Sequence, residues 1–593
     1  MVGAAVLAGG LIFPGPALSG PRAVLVSPQF PRPGGRLRVL AAFEADAAKV
    51  QAFLRGPAGV LEALKTKRGG GPPFWVAAEF SAGPAGSYAL TLKEGRDEWQ
   101  ALTLEVSADG ATKAEMAGGP LGAKDWSRAE ESLYAAWIEV LFAEADERSS
   151  WKALHEVMRD PACNILHDHL GLGEDEASGP NALVMTPDCA DNPYFLRAYF
   201  AWKLGLPFGF HETSWGSREQ APRGLRFRTD GLSAGTEAGS PVRRFRRLLA
   251  LVKNTVHAGN GRTALRADAT DYYPLPLTRK ALKPGTVYAD PYGHTLTIVR
   301  WVPQTAKRPG LLLAVDAQPD GTIGIKRFWK GNFLFTTESV VGEPGFKAFR
   351  PIVLENGRPR LLTNREIAAN PDFGDYSLEQ EKMAGDAFYV ATEKLINPEP
   401  LDAAAAFEDL FRAINEQLIV RVDSVANGEE FMKTHPNTVI PMPSGPAVYQ
   451  TLGRWEDFST PNRDLRLLIA IDTILGFPDK VAGNPEAYEV SGKKTPDEVR
   501  RGLLALQKKL AASLSITYRR SDGTPRVLTL EDIFARRDAF EMGYNPNDSV
   551  EVRWGAPEGS EERSTARRRA PSSQVEKMKA LRPWFHKRLR PSS

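Results

Sequence analysis

The stretch TPDCADNPYFLRAYFAWKLGLPF, Thr186–Phe208, places a cysteine directly before a bulky apolar segment. The apolar residues recur at helical spacing and end at Gly205, a residue that commonly terminates helices. Asn192 and Pro193 suit the cap and the first helical position. The stretch therefore predicts a helix with Cys189 at its start or one turn ahead of it, where unpaired N–H groups favour a thiolate.

Two later segments, KPGTVYADPYGHTLTIVRWV (283–302) and LLLAVDAQPDG (311–321), read as neighbouring strands of an antiparallel hairpin. If the hairpin turns about Thr305, His294 lies directly opposite Asp316, and both side chains share one face of the sheet. A one-residue slip of the register would put them on opposite faces. The hairpin geometry thus predicts a carboxylate beside an imidazole.

A cysteine hydrolase needs a thiolate, an imidazole that moves its proton, and a polar group that orients the imidazole. Cys189, His294 and Asp316 supply these groups in that chain order. Structural interpretations remain open for each of them. Cys189 could be a buried inert thiol or form a bridge to Cys163, and Asp316 could cap the turn that follows it.

The order of Cys189 at a helix start, a Pro-Gly strand ending in Gly293-His294, and Asp316 on the next strand resembles the papain-like cysteine hydrolase superfamily. The likeness covers residues 151–335 and is greatest to the NlpC/P60 and CHAP forms, with the transglutaminase-like core as second choice. It implies Cys189 as nucleophile, His294 as general base and acid, and Asp316 as the orienting residue. It also implies cleavage of amide bonds, typically in bacterial cell-wall peptides.

Changes in hydrophobic patterning predict a multidomain α+β chain. An immunoglobulin-like β-sandwich is expected from short alternating runs between Gly and Pro, and a papain-like α+β domain of NlpC/P60 type from helices followed by strands. A mostly helical domain and a basic, solvated tail complete the chain. The predicted units are a signal or anchor segment at 1–20, the sandwich at 21–110, the papain-like domain at 120–365, the helical domain at 373–560 and the tail at 561–593.

Composition excludes several classes of function. The 593-residue chain has 75 Lys plus Arg against 72 Asp plus Glu, a net charge of +3. Such a balance argues against a protein that coats nucleic acid. No transmembrane helix is expected in the body, because no stretch there approaches eighteen uninterrupted apolar residues. The apolar start resembles an incomplete signal peptide, so a periplasmic or extracellular location is expected, with the cytoplasm as the alternative.

The function predicted from these residues is that of a cysteine peptidase or amidase acting on peptide amide bonds, without a cofactor. The expected partners are a peptide or peptidoglycan substrate and a protein of the cell envelope. One alternative is a non-catalytic envelope-binding or assembly protein of the same fold, and another is a transglutaminase-like acyl transferase. A rival metal site would use a cluster of nitrogen and oxygen donors. These donors are His155, Glu156, His167, His169, Glu174, Asp175 and Glu176.

Overall fold

The computed structural model shows an α+β protein with β-sheets in its N-terminal part and a mostly helical C-terminal part. The predicted signal or anchor segment at 1–20 lies outside the described residues. The structure describes residues 23–95, 97–108, 124–217, 220–229, 240–305, 308–336, 342–449, 453–489 and 495–590.

The N-terminal region consists of two four-stranded antiparallel sheets that enclose one apolar core. Their inner faces contribute alternate residues such as Val39 and Leu90, which gives the period-two pattern seen in the sequence. The strand orders are β1-β2-β6-β5 and β4-β3-β7-β8. The bounds are β1 Ala23–Ser27, β2 Arg36–Phe43, β3 Gln51–Gly56, β4 Gly59–Glu62, β5 Lys65–Gly70, β6 Phe74–Ser81, β7 Gly86–Glu94 and β8 Asp97–Val106.

Three strands of the first sheet, β1, β2 and β6, are mostly buried on both faces. In β2 every residue after the first is buried, because Leu40 and Ala42 pack outward against a helix, α1 (Arg128–Leu141). Arg38 of the same strand donates to the carbonyl oxygen of Asn164 at 3.2 Å. The N-terminal sheets are therefore packed firmly onto the central region.

The central region is built on a seven-stranded antiparallel sheet of order β12-β17-β13-β14-β15-β16-β9. Helices α1 and α3 (Asn192–Leu204) cover one face, where Trp137 stacks on Tyr199 at 5.6 Å. The remaining bounds in this region are listed in chain order. They are β9 Ser150–Trp151, α2 Leu154–Met158, β10 Phe210–Thr213, β11 Gly224–Arg228, α4 Pro241–Thr255, β12 Tyr272–Pro274, β13 Val287–Ala289, β14 Thr295–Val302, β15 Leu311–Ala317, β16 Ile323–Arg327, β17 Gly345–Phe349, β18 Ile352–Glu355 and β19 Arg358–Leu361.

The β14–β15 hairpin contains a β-bulge. Near the turn Arg300 pairs with Leu313, whereas the next pair along the ladder is Ile298 with Ala314. Val299 is therefore an extra residue on β14, and its side chain lies in the core under α1 and α3. Ile298 packs in the apolar cluster on the opposite face of the sheet.

The bulge sets which residues face each other at the far end of the hairpin. Extending the register past it places Leu296 opposite Asp316 and His294 opposite Gln318. The prediction that His294 lies directly opposite Asp316 is thus wrong by two residues, because the turn lies beyond Thr305 rather than on it. An offset of two keeps both side chains on one face, where they are diagonal neighbours.

The C-terminal region is mostly helical, as predicted. It differs from the prediction in two places, a β-hairpin that was not expected and a tail that is packed rather than solvated. Residues Ser515–Arg519 and Pro525–Thr529 form antiparallel strands. The predicted solvated tail at 561–593 instead contains a helix whose Met578 and Phe585 are buried. The bounds are α5 Asn364–Ala369, α6 Gly385–Ile396, β20 Leu401–Asp402, α7 Ala403–Thr434, α8 Arg454–Phe458, α9 Pro461–Gly483, β21 Tyr488–Glu489, α10 Pro496–Ser513, β22 Ser515–Arg519, β23 Pro525–Thr529, α11 Leu530–Ala535, α12 Arg537–Phe540, α13 Val550–Arg553 and α14 Ser572–His586.

Across the part of the chain that the structure describes, no helix has both the length and the apolar character needed to cross a bilayer.

A buried ion-pair cluster fixes the long loop between α2 and α3. Lys203 of α3 donates to Glu174 and, at 2.7 Å, to Asp175, and all three side chains are almost fully buried. Asp175 also accepts from the Tyr199 hydroxyl at 2.7 Å. One buried ammonium thus holds two buried carboxylates, so the loop that leads to Cys189 is held against α3.

Replacing Lys203 with methionine should destabilise the central region by about 3–5 kcal/mol, because two buried carboxylates lose their cation. The measurement is hydrogen exchange of the α3 amides under native conditions, which reports on this region separately from the others. Lys433→Met, at an exposed position of α7, is the matched control and should change stability by less than about 0.5 kcal/mol. Equal protection in the two variants would contradict the role given to Lys203.

Candidate active site

Cys189 lies in the turn that leads into α3. The side chain of Asp188 accepts from the backbone N–H groups of Ala190 at 2.8 Å and Asp191 at 3.0 Å, which shapes this turn. The helix cap is Asp191, not the predicted Asn192, and Pro193 occupies an early helical position where its missing N–H costs nothing. Cys189 therefore faces the N-terminal end of the helix from one turn ahead.

The backbone N–H of Cys189 donates to no group in the described parts of the chain. A free donor at this position, next to the N-terminus of α3, suits the anion that develops on a carbonyl oxygen when a thiolate adds to the carbonyl carbon. Cys189 is half-buried, so a substrate could reach its thiol from the neighbouring cavity.

His294 is presented by a tight turn between β13 and β14. The amide of Asp290 donates to the carbonyl of His294 at 2.8 Å, and its carboxylate accepts from the Tyr292 amide at 2.6 Å. Gly293 has φ of +94°, which side-chain-bearing residues rarely adopt, and a Cβ there would lie 2.9 Å from Arg590. The glycine of the Gly-His pair is thus required by the turn that aims the imidazole.

The three predicted residues lie together. Nε2 of His294 is 2.7 Å from Oδ1 of Asp316, and Cys189 is close enough to the imidazole to affect its pKa. Because Nε2 faces Asp316, Nδ1 is the nitrogen left for the sulfur. Oδ2 of Asp316 accepts from the Gln318 amide at 2.6 Å, which fixes the carboxylate.

This arrangement favours a protonated imidazole. Burial disfavours the charge on His294, but Asp316 and Cys189 outweigh it and raise the pKa of His294 to about 10. Burial likewise opposes the Asp316 carboxylate, yet His294 holds the pKa of Asp316 below its usual range. An imidazolium beside a cysteine is the charge distribution that supports a thiolate nucleophile.

The cysteine opens onto a cavity of about 250 Å³ whose far wall is formed by α7, α8 and α9. On α9, Arg466 donates to Asp290 at 2.7 Å and to the carbonyl of Asn332 at 3.0 Å, so this helix holds the turn that carries His294. Sequence reasoning missed this wall. Arg466 is 134 residues from Asn332 and 176 residues from Asp290 in the sequence, and no local motif marks it.

Two acidic side chains, Asp191 and Glu456, lie near Asp188, the residue before Cys189. Burial and the nearby Asp188 raise the pKa of Asp191 to about 7. Burial, Asp188 and Asp457 together raise the pKa of Glu456, on α8, to about 7. Negative charge near Cys189 is therefore reduced at neutral pH, which spares the thiolate some repulsion.

A buried arginine, Arg262, lies near Asp290 and Cys189. Burial lowers the pKa of Arg262 to about 10, while Asp290 and Cys189 counteract that effect. Its Nε donates to the carbonyl of Ala258 at 3.1 Å. This guanidinium, which the sequence did not single out, adds positive charge in the neighbourhood of the cysteine.

Cys163 and Cys189 are both free, so the disulfide alternative is not realised. Burial and Asp160 raise the pKa of Cys163 to about 11, which makes it a poor nucleophile. The rival metal cluster is not assembled either. No group of three or more His, Cys, Asp or Glu suited to a metal occurs among the described residues, and Glu174 and Asp175 contact Lys203 instead.

Comparison of the chain with protein-family models, with curated proteins and with solved structures gave no match.

Replacing Asp316 with asparagine should lower the pKa of His294 from about 10 towards 6.5, because the neighbouring carboxylate is lost. A pH titration of the His294 ring by NMR measures it. The imidazolium's contribution to stability is fully present below pH 6.5 and is lost as the pH rises through about 10. Asp320→Asn, an exposed carboxylate of the same hairpin, is the control. An unchanged His294 titration in Asp316→Asn would contradict the pairing.

Proposed function

We propose that the chain is a cysteine hydrolase of papain-like fold that cleaves peptide amide bonds through Cys189, His294 and Asp316. One observation carries this proposal: a single imidazole lies 2.7 Å from Asp316 and close to a half-buried cysteine that precedes a helix. A cysteine kept only for packing has no need of a positioned imidazole, and a surface histidine has no need of a buried carboxylate.

The chemistry follows from the positions of these groups. The Cys189 thiolate attacks the amide carbonyl carbon, and the free N–H of Cys189 stabilises the oxyanion. The His294 imidazolium then gives its proton to the departing amine as the C–N bond breaks, which leaves a thioacyl enzyme. In the second half the neutral His294 takes a proton from water, the hydroxide displaces the thiolate, and the carboxylic acid is released.

The fold supports the same assignment. A helix preceded by the cysteine packs on an antiparallel sheet whose strands carry the histidine and the aspartate, which is the layout of papain-like domains such as NlpC/P60. The two N-terminal sheets that share one core fit an immunoglobulin-like module. Cell-wall peptides met outside the cytoplasm are the substrate class that this likeness suggests.

At neutral pH iodoacetamide should alkylate Cys189 at least about 100-fold faster than Cys163. A thiol with a pKa near 11 is thiolate in only about 1 molecule in 10,000 at pH 7, whereas Cys189 has an imidazolium beside it. Mass spectrometry of timed digests measures both rates in one sample. His294→Gln should slow the alkylation of Cys189 and leave the alkylation rate of Cys163 unchanged. Equally slow reaction of the two cysteines in the wild type would favour a non-catalytic protein.

Wild-type protein should release free amines from cell-wall peptides, and Cys189→Ala should lose this activity by at least about 10³-fold, because the proposed nucleophile beside His294 is removed. Cys163→Ser is the matched control and should keep it. The measurement is mass spectrometry of the products, which also identifies the bond cut. Release by Cys189→Ala at the wild-type rate would exclude the mechanism, and transfer to an added amine in place of hydrolysis would identify an acyl transferase.

A further inference from the structure

The cavity beside Cys189 has an unequal distribution of charge. On the cavity wall His294 pairs with Asp316. Two arginines of the wall, Arg421 and Arg466, pair with carboxylates that do not line it, Asp464 and Asp290. Two further cations of the wall, Lys326 and Arg463, have no carboxylate within 4.0 Å among the described residues. Their presence bears on which substrates the cavity accepts.

Lys326 is the first of these cations. It lies on β16 opposite Ala314, two residues along from the Gly324–Asp316 pair, so its side chain shares a face with Asp316. The ammonium lies near enough to Asp316 to lower the pKa of that carboxylate. Asp316 is already engaged by His294 and Gln318, and no carboxylate of the described chain lies within 4.0 Å of the Lys326 amine.

Arg463 of α9 is the second cation. Its guanidinium donates to the neutral Oε1 of Gln318 at 3.2 Å, and no carboxylate in the described residues is within 4.0 Å of it. Burial lowers the pKa of Arg463, against the pull of Asp316, Asp320 and Asp464. The nearest of these in sequence, Asp464, points the other way and is held by Arg421 at 2.7 Å.

A cation that is half-buried without a counter-ion costs free energy that a bound anion would offset. Lys326 comes from the central sheet and Arg463 from the helical wall, and both line the cavity that contains Cys189. Arginine can hold both oxygens of a carboxylate, and lysine adds a second point of charge. Glu456 also lines the cavity, so these two cations face it together with one acidic side chain.

We propose that Lys326 and Arg463 form a carboxylate subsite, which makes the cysteine hydrolase selective for substrates with a free carboxylate next to the bond that is cut. This inference rests on the proposed function, since it assigns a substrate class to the same cavity. The carboxylate could be an acidic side chain or the C-terminus of a peptide.

The test compares iodoacetate with iodoacetamide, which differ by one negative charge. The ratio of their alkylation rates at Cys189 should be about tenfold higher in the folded protein than in the same chain unfolded in urea, because two unpaired cations attract the anion. Arg463→Gln and Lys326→Met should each lower this ratio at least about threefold. Arg463→Lys, which keeps the charge, should retain most of it.

Arg500→Gln is the matched control, since it removes an exposed cation of α10 that is paired with Asp479 away from the cavity. Its ratio should equal that of the wild type. A wild-type ratio no higher than in urea would overturn the carboxylate subsite. Slow reaction of Cys189 with iodoacetamide itself would overturn the hydrolase proposal instead, so the two failures are distinguishable.

Protection of Cys189 from iodoacetamide separates the two sources of the carboxylate. N-acetylglutamate amide carries only a side-chain carboxylate, and N-acetylglycine carries only a terminal one. Stronger protection by either compound than by neutral N-acetylglutamine amide would support the subsite and name its source. Equal protection by all three would contradict it.

Discussion

The candidate site depends on one extra residue in one strand. Between the turn and Val299, the strand pairing of the β14–β15 hairpin would, if continued, place His294 and Asp316 on opposite faces of the sheet. The bulge at Val299 shifts the pairing by one residue, which brings both side chains to the same face. Only after that shift can the imidazole meet the carboxylate. A bulge of this kind re-aims side chains at the end of a strand without changing the fold around it. The side chain of Val299 is buried in the core, which keeps the bulge in place.

The site is shared between two parts of the chain that the sequence presents as separate units. The central region supplies the cysteine, the imidazole and the carboxylate, and the helical region supplies the opposite wall and the ion pair with Asp290. Such a cleft between two packed units is a common location for ligand sites. The helical region therefore has two roles, since it forms its own apolar core and one wall of the candidate site.

Much of this architecture can be predicted from the sequence, because it depends on local sequence signals. The helix after Cys189, the β14 and β15 strands and the Asn-Gly hairpin between β18 and β19 follow from periodicity and turn chemistry. The order of the three candidate residues can also be seen in the sequence. The bulge cannot be predicted, since nothing in the run Ile298–Arg300 distinguishes an unpaired residue from a paired one.

Two other features that the sequence did not predict correctly, the C-terminal tail and the cavity wall, depend on packing between residues distant in the chain. Basic residues predicted a solvated tail, but Met578 and Phe585 find apolar partners in the C-terminal core. The cations of the cavity wall reach partners in another region, so their role appears only once the chain is folded. Local patterns report what a segment can form, whereas its neighbours decide what it contacts.

The turn that carries His294 is tied to the far end of the described chain. Arg590, almost fully buried, donates to the carbonyl of Tyr292, 298 residues earlier, and stacks over the Tyr449 ring. A ribosome adds about 5–20 residues per second, so roughly 15–60 s pass between synthesis of these two contact residues. A newly made chain therefore holds Cys189 and His294 for that interval without the contact that fixes the turn, so the candidate site is completed only after Arg590 has been made.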